Sequence, residues 1–309
     1  MKKNILFSLI ILICLSLNAW SQQGPLLSHY MFNGLLINPA YAGSKEYVSS
    51  TLMYRKQWAG FEGAPVTYSG TIHGLIKKKN LGLGAMIQQD KIGVTKETDF
   101  YTMLAYHLPL GVGKLSVGIQ AGVSNFNSEV VKLTYWDPND KVFDYNTFNS
   151  LLPNAGFGMY YYQTKFYAGI SAPFLISYDK SQQGSLNSNT PIHHQVRRYF
   201  ATAGMVFETE NDIKFKPSFL VRYESNAPVQ YDINLNVLIN DIFWIGASYR
   251  AKEAVVGIFE YQVNKKLRIG YSYDYSLGDL NKYNTGSHEI MLGYDFGFSV
   301  LKMKSPRYF

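Results

Sequence analysis

The chain has 309 residues, 47% hydrophobic, 16% aromatic and 17% charged, with a formal charge of +7. Beyond the N-terminus no apolar run approaches the roughly 20 residues of a membrane helix, which excludes a bundle of such helices. One cysteine, Cys14, excludes a disulfide scaffold, and the mild basicity suits acidic lipid headgroups or an acidic partner without requiring either.

Residues 1–21 read as a secretory signal. Lys2 and Lys3 form the charged start, residues 5–17 the apolar centre, and Ala19-Trp20-Ser21 a small-x-small cleavage site before Gln22. Ile13 stands before Cys14, where a lipoprotein signal wants a small residue, so lipidation is not expected. Cleavage near Ser21 leaves a mature chain without cysteine and, with Lys2 and Lys3 gone, lowers the charge from +7 to +5.

Residues 22–46 carry little charge and many Asn, Gly, Pro and aromatic residues. A stretch this apolar is expected to pack, and the lumen of a barrel is the place available to it. Asn38-Pro39 followed by small residues predicts a turn just before the first strand.

From there the chain alternates. Strands are predicted near 47–58, 66–76, 81–89, 100–108, 114–126, 154–162, 165–173 and 199–208. The clearest block follows, at 213–224, 229–239, 242–250, 254–263 and 266–275, and 287–298 completes about fourteen. Phe215, Pro217, Phe219, Val221 and Tyr223 share one face, and Lys214, Lys216, Ser218 and Arg222 the other. Such a period of two marks β-strand, because successive side chains point to opposite sides. Runs of about nine to twelve residues exceed the five or six of ordinary strands and match a tilted bilayer crossing. The Lys, Arg, Asp and Asn of the second face need a wet or plugged lumen rather than a packed core. The fold class is therefore all-β: a transmembrane antiparallel β-barrel of about 14 strands over 47–298, with a tail at 299–309. The 25 Tyr and 19 Phe supply two interfacial girdles.

The connections support this count independently. Short segments follow even-numbered strands, whereas the long ones (127–153, 174–198 and 276–286) all follow odd-numbered strands. Outer-membrane barrels show that asymmetry, with short periplasmic turns and longer outside loops. The last strand carries Gly293-x-x-Phe296-x-Phe298, which resembles the signal that barrel-assembly machinery reads, although here the chain continues past it.

Chemistry-bearing clusters are poor. His193-His194 are adjacent and do not converge on one metal. Asp137, Asn139, Asp140 and Asp144 lack the glycine and distal Glu of an EF-hand loop. Gly82-Leu83-Gly84 falls within an alternating strand with no phosphate-binding lysine behind it. No nucleophile elbow is present. No cofactor, catalytic residue or metal is expected, and the protein is not expected to be an enzyme.

The run SHYMFNGLLINPAYAGS resembles the opening of the PorP/SprF family of Bacteroidota type IX secretion proteins. Ser28, Tyr30, Met31, Asn33, Asn38, Pro39, Ala40, Tyr41, Ala42 and Gly43 stand where the family pattern places them. The ending GSHEIMLGYDF and Ser305 to Phe309 is also similar, while Gly34 departs from the family's bulkier residue or proline. The resemblance implies an integral outer-membrane component of type IX secretion, some members working with the machinery that drives gliding motility. Others support export or surface attachment of one large adhesin. It implies as partners outer-membrane lipid, the C-terminal secretion domain of the cargo and a periplasmic peptidoglycan-linked lipoprotein; no nucleic acid is involved. A passive channel or hydrophobic-solute transporter stands as the alternative reading.

Overall fold

The computed structural model describes residues 24, 26–45, 47–129, 148–178, 195–210, 212–225 and 227–296. The expected signal at 1–21, His193-His194, the loop acids at 137–144, Phe298 and the tail at 299–309 lie outside these residues, as does most of the two longest loops.

Fourteen strands form one closed antiparallel sheet. They are β1 (Val48–Lys56), β2 (Val66–Ile76), β3 (Leu81–Ile92), β4 (Thr95–Leu110), β5 (Gly113–Ser128), β6 (Phe148–Tyr162) and β7 (Phe166–Phe174). Next come β8 (Arg198–Met205 and, past Val206, Phe207–Glu208), β9 (Ile213–Glu224), β10 (Gln230–Ile239), β11 (Phe243–Arg250), β12 (Ala254–Gln262), β13 (Leu267–Ser276) and β14 (Ser287–Phe296). The two parts of β8 are one strand. Both pair with β9 in a single register, and burial alternates straight across Val206. Neighbours in sequence pair all round the sheet, and β14 closes onto β1 from Val48 opposite Phe296 to Lys56 opposite His288.

The barrel is inside-out. In β9 the buried positions are Lys216, Ser218, Leu220, Arg222 and Glu224, while Phe215, Phe219 and Tyr223 are exposed. In β10 Asp232, Asn234 and Asn236 are buried, whereas Tyr231, Ile233 and Leu235 face out. The outward face is banded. Leu52, Ile72, Ile87, Ile119, Ile233 and Ile245 hold its middle, with Tyr68, Tyr223, Tyr231, Tyr249 and Tyr275 toward one rim and Phe207, Phe215, Phe243 and Phe296 toward the other. Amphipathic rings at both rims of an apolar band are what a bilayer selects.

Expected and observed strands coincide at 66–76 and 213–224, and most others differ by a residue or two at each end. The larger differences fall on one hairpin and its neighbour. β4 begins at Thr95 rather than 100, β5 runs to Ser128, and β6 begins at Phe148 rather than 154. The residues added to β4, such as Lys96, Glu97 and Asp99, have no apolar face and so carry no alternation, and in β6 Leu151, Leu152 and Pro153 run on consecutively; pairing, Lys96 with Asn127, Glu97 with Phe126 and Leu151 with Asn125, holds them in the sheet. The first long loop is accordingly shortened to 129–147.

The outward placement is testable at mid-height. Leu235, 50% exposed, faces hydrocarbon, so Leu235→Arg is expected to destabilise the barrel by about 2–4 kcal/mol. Urea unfolding in liposomes measures this, and an unshifted midpoint contradicts the assigned face.

Candidate functional site

The sheet encloses a lumen, and residues 26–45 occupy it. Three 3-10 turns, Ser28–Phe32, Gly34–Leu36 and Pro39–Tyr41, make up most of this segment. All of its residues are buried except Gly34 and Leu36, which are partly so. The turns satisfy part of the segment's backbone internally, from Tyr30 N–H on the Leu27 carbonyl to Ser44 N–H on the Tyr41 carbonyl, and other polar groups are satisfied by the barrel wall, as buried backbone requires.

At the end of the barrel where the long connections gather, the segment meets an ionic cluster. The backbone N–H groups of Ser28 and His29 donate to the two Glu289 carboxylate oxygens, at 2.7 and 2.9 Å. His29 Nδ1 donates to Glu289 Oε1 at 2.7 Å. Ser28 Oγ donates to Asp274, and Arg55 clamps the group, with Nη2 2.7 Å from Asp274 Oδ2 and Nη1 3.2 Å from Ser28 Oγ. Arg55 and Glu289 are cross-strand partners on β1 and β14. The segment therefore docks on the seam where the barrel closes. Removing one member of such a buried set strands its partners at roughly 3–5 kcal/mol.

Midway, Asn33 donates to Thr71 Oγ1 at 2.8 Å, and the Tyr30 hydroxyl accepts from Asn234 at 2.8 Å. Lys216 donates to the Met31 carbonyl at 2.9 Å, its ammonium lying 5.1 Å from the Phe32 ring centroid and 5.8 Å from those of Tyr167 and Trp244. That aromatic cage spares a buried cation much of the cost of losing water. Leu26, Tyr30, Met31, Phe32 and Ile37 pack against Leu220, Leu238 and Trp244 in one apolar cluster; Leu35, Ala40, Tyr41 and Ala42 join Tyr101, Tyr160 and Tyr167 in another.

Toward the opposite end, the turn expected at Asn38-Pro39 is present. Asn38 Oδ1 accepts from Ala40 N at 2.9 Å, Pro39 opens the turn, and Asn38 Nδ2 donates to the Met159 carbonyl at 3.0 Å. His107 Nε2 donates to the Ala42 carbonyl at 2.9 Å, and Gly43 N–H donates to His73 Nδ1 at 3.1 Å. Gly43 has φ +76°, the left-handed region that turns the chain toward β1. The wall gives way to the segment at glycines: a Cβ on Gly118 would lie 2.5 Å from Ala40 Cα, and one on Gly82 would overlap the Ala42 carbonyl. Below this filling a cavity of about 340 Å³ opens among the short turns, between Phe32, Trp244, Glu260, Arg268 and Asp295.

The ten family-pattern residues all lie in the leader inside the lumen, where His29, Phe32, Leu35 and Ile37 touch the wall beside them. Gly293 faces the lumen against the Arg268 guanidinium, and Phe296 faces outward at the rim. Gly82-Leu83-Gly84 lies within β3. Residues that sequence reasoning did not single out are His29, Arg55, Asp274 and Glu289, together with His73 and His107. Their one local signal was a histidine inside an otherwise uncharged, apolar run. Among the described residues no group of three or more His, Cys, Asp or Glu is placed to hold a metal ion.

The fold is shared with channel barrels. The chain is similar to the CymD monoaromatic hydrocarbon channel, with TM-score 0.51 and 10% identity over 88% of this chain and 94% of that one. It is also similar to the Ralstonia pickettii toluene transporter TbuX, with TM-score 0.48 and 11% identity over 85% and 92%. A KdgM porin aligns at TM-score 0.40 and 9% identity over 80% and 99%. Identities this low speak to the fold alone. A search of curated proteins finds no match. The sequence profile of the type IX secretion system membrane protein PorP/SprF matches residues 19–294, from the leader through the whole barrel to β14, and the chain belongs to that family.

Proposed function

We propose that this outer-membrane component of type IX secretion is a non-enzymatic platform that supports export or surface attachment of an adhesin-like cargo. The observation that carries the reading is the filled lumen. A barrel whose interior is packed with its own leader from Leu26 to Lys45 offers a scaffold and its loops rather than an open pore. The family supplies the secretion context. In this reading the short turns face the periplasm, where a peptidoglycan-linked lipoprotein of the machinery binds. The long connections around 130–147 and 179–194 face outward and engage the cargo's C-terminal secretion domain, since loops on a rigid scaffold commonly carry function. A link to gliding motility follows where the cargo is a motility adhesin.

A second reading, a hydrophobic-solute channel, draws on the likeness to the monoaromatic hydrocarbon channel and on the cavity among the short turns. The two readings differ in what the leader does. As a resident plug, its deletion over 26–43 is expected to lower the yield of folded barrel and to raise single-channel conductance in planar bilayers at least about tenfold in the fraction that closes without it. Gly118→Leu, which drives a side chain into Ala40, is expected to give a smaller rise of the same sign. Unchanged conductance in both folded variants contradicts the plug.

The cargo role has its own test. Deleting residues 130–147 or 179–194 is expected to impair adhesin display while leaving the barrel heat-modifiable on gels. Normal display from both deletions contradicts it. Affinity purification from native outer membrane is expected to co-isolate a large adhesin; isolation alone, with solute uptake in liposomes, favours the channel.

A further inference from the structure

We propose that the leader enters the lumen from the outer face of the membrane, so that the chain before Gly24 is reachable from outside the cell. The inference rests on the orientation adopted above, with long connections outside. It concerns something that reading leaves open: which way the leader runs through the lumen.

The contacts of the leader fix its direction. The Gly24 carbonyl accepts from Arg222 Nη1 at 2.9 Å, and Arg222 stands two residues before the end of β9, where the chain enters the 225–229 connection. Gly24 also packs on the guanidinium of Arg198, the first residue of β8 after the long 175–197 connection. Ser28 and His29 hold Glu289, Asp274 and Arg55, all near the strand ends that lead into 277–286 and 57–65. Gly24, Ser28 and His29 are therefore at the long-connection rim. The chain descends to Lys216 in the lower third of β9 at Met31, returns to mid-height on Thr71 at Asn33 and Ser171 at Ile37, and ends at the other rim, with Asn38 on Met159 near the far end of β6 and Ala42 on His107 near the far end of β4. Lys45 then bonds Ser49 at the start of β1. In net direction the leader thus runs from the long-connection rim at Gly24 to the short-turn rim at Lys45, antiparallel to β1.

Two consequences follow. Gly24 stands at the rim where β8 begins and β9 ends, so whatever precedes it at the chain's amino end is offered at that face rather than at the short turns. A pull on that end is transmitted along the lumen to the contacts at Ser28 and His29, which span the β1–β14 seam. Because those contacts bridge both sides of the seam, the leader must be laid in before or while the barrel closes. A closed barrel would have to be threaded through its full height.

Cysteine labelling tests this, because the chain's one cysteine, Cys14, falls in the expected signal. Three single variants of the full chain are compared in intact and permeabilised cells with a membrane-impermeant maleimide: Gln23→Cys, Glu62→Cys in the 57–65 connection, and Lys78→Cys in the β2–β3 turn. The expected result is that Gln23→Cys and Glu62→Cys label in intact cells to within about twofold of each other, and Lys78→Cys only after permeabilisation. If Glu62→Cys labels in intact cells but Gln23→Cys needs permeabilisation, or stays unreactive until denatured, the proposal is overturned and the orientation stands. If Lys78→Cys labels in intact cells and Glu62→Cys does not, the orientation itself falls, and the outward amino end with it.

Discussion

The structure depends on how a barrel in lipid disposes of its inward polar face. Outside, the bilayer demands Leu, Ile, Tyr and Phe; inside, the strands carry Arg55, Lys216, Arg222, Asp232, Arg250, Glu260, Arg268, Asp274 and Glu289, all buried. Charges taken out of water need partners, and strand geometry alone does not provide them all. Some find each other across the wall, as Arg250 finds Asp232 at 3.2 Å. Others are completed by the leader: Glu289 by two backbone N–H groups and His29, Asp274 by Ser28, Lys216 by the Met31 carbonyl and the Phe32 ring. The leader is in effect the core that the barrel lacks. Its own backbone is bonded partly within its turns and partly to the wall, as at Ser28, His29 and Gly43.

Much of this was legible in the sequence, and the reason is periodicity. A period of two survives in each strand that has one face in hydrocarbon, so 213–275 could be assigned residue by residue, and the parity of the connections fixed the count. The extra lengths of β4 and β5 were illegible because residues such as Lys96, Glu97 and Asn127 have no apolar side to alternate against, and that of β6 because Leu151, Leu152 and Pro153 are apolar in succession. The leader's place in the lumen could be expected from its low charge and apolar content. Its partners could not: His29 and Glu289 are 260 positions apart, and nothing local to either announces the other. Glycines were misleading in a similar way. Gly82 looked like a neutral member of a strand, and only the approach of the Ala42 carbonyl gives it a purpose.

The same geometry frames the secretion role. The family residues from Ser28 to Gly43 include side chains that would be inert in a tail, such as Asn33, Asn38 and Ala40. Each becomes specific only against Thr71, Met159 and Gly118. A lumen filled by short 3-10 turns, apolar packing and side-chain hydrogen bonds is held by many small contacts. Their sum is cooperative with barrel closure, because the strongest of them bridge β1 and β14. What remains for partners is then the two rims: loops and the leader's end at one, turns and the 340 Å³ cavity at the other.

The central claim is that residues 26–45 are an integral part of the folded barrel. Hydrogen–deuterium exchange of the intact protein in detergent addresses it most directly, since amides that open only with global unfolding exchange slowest. The account predicts that peptides spanning 28–43 exchange about as slowly as those of β9 to β14. Exchange of that segment within minutes, with the strands still protected, would contradict it.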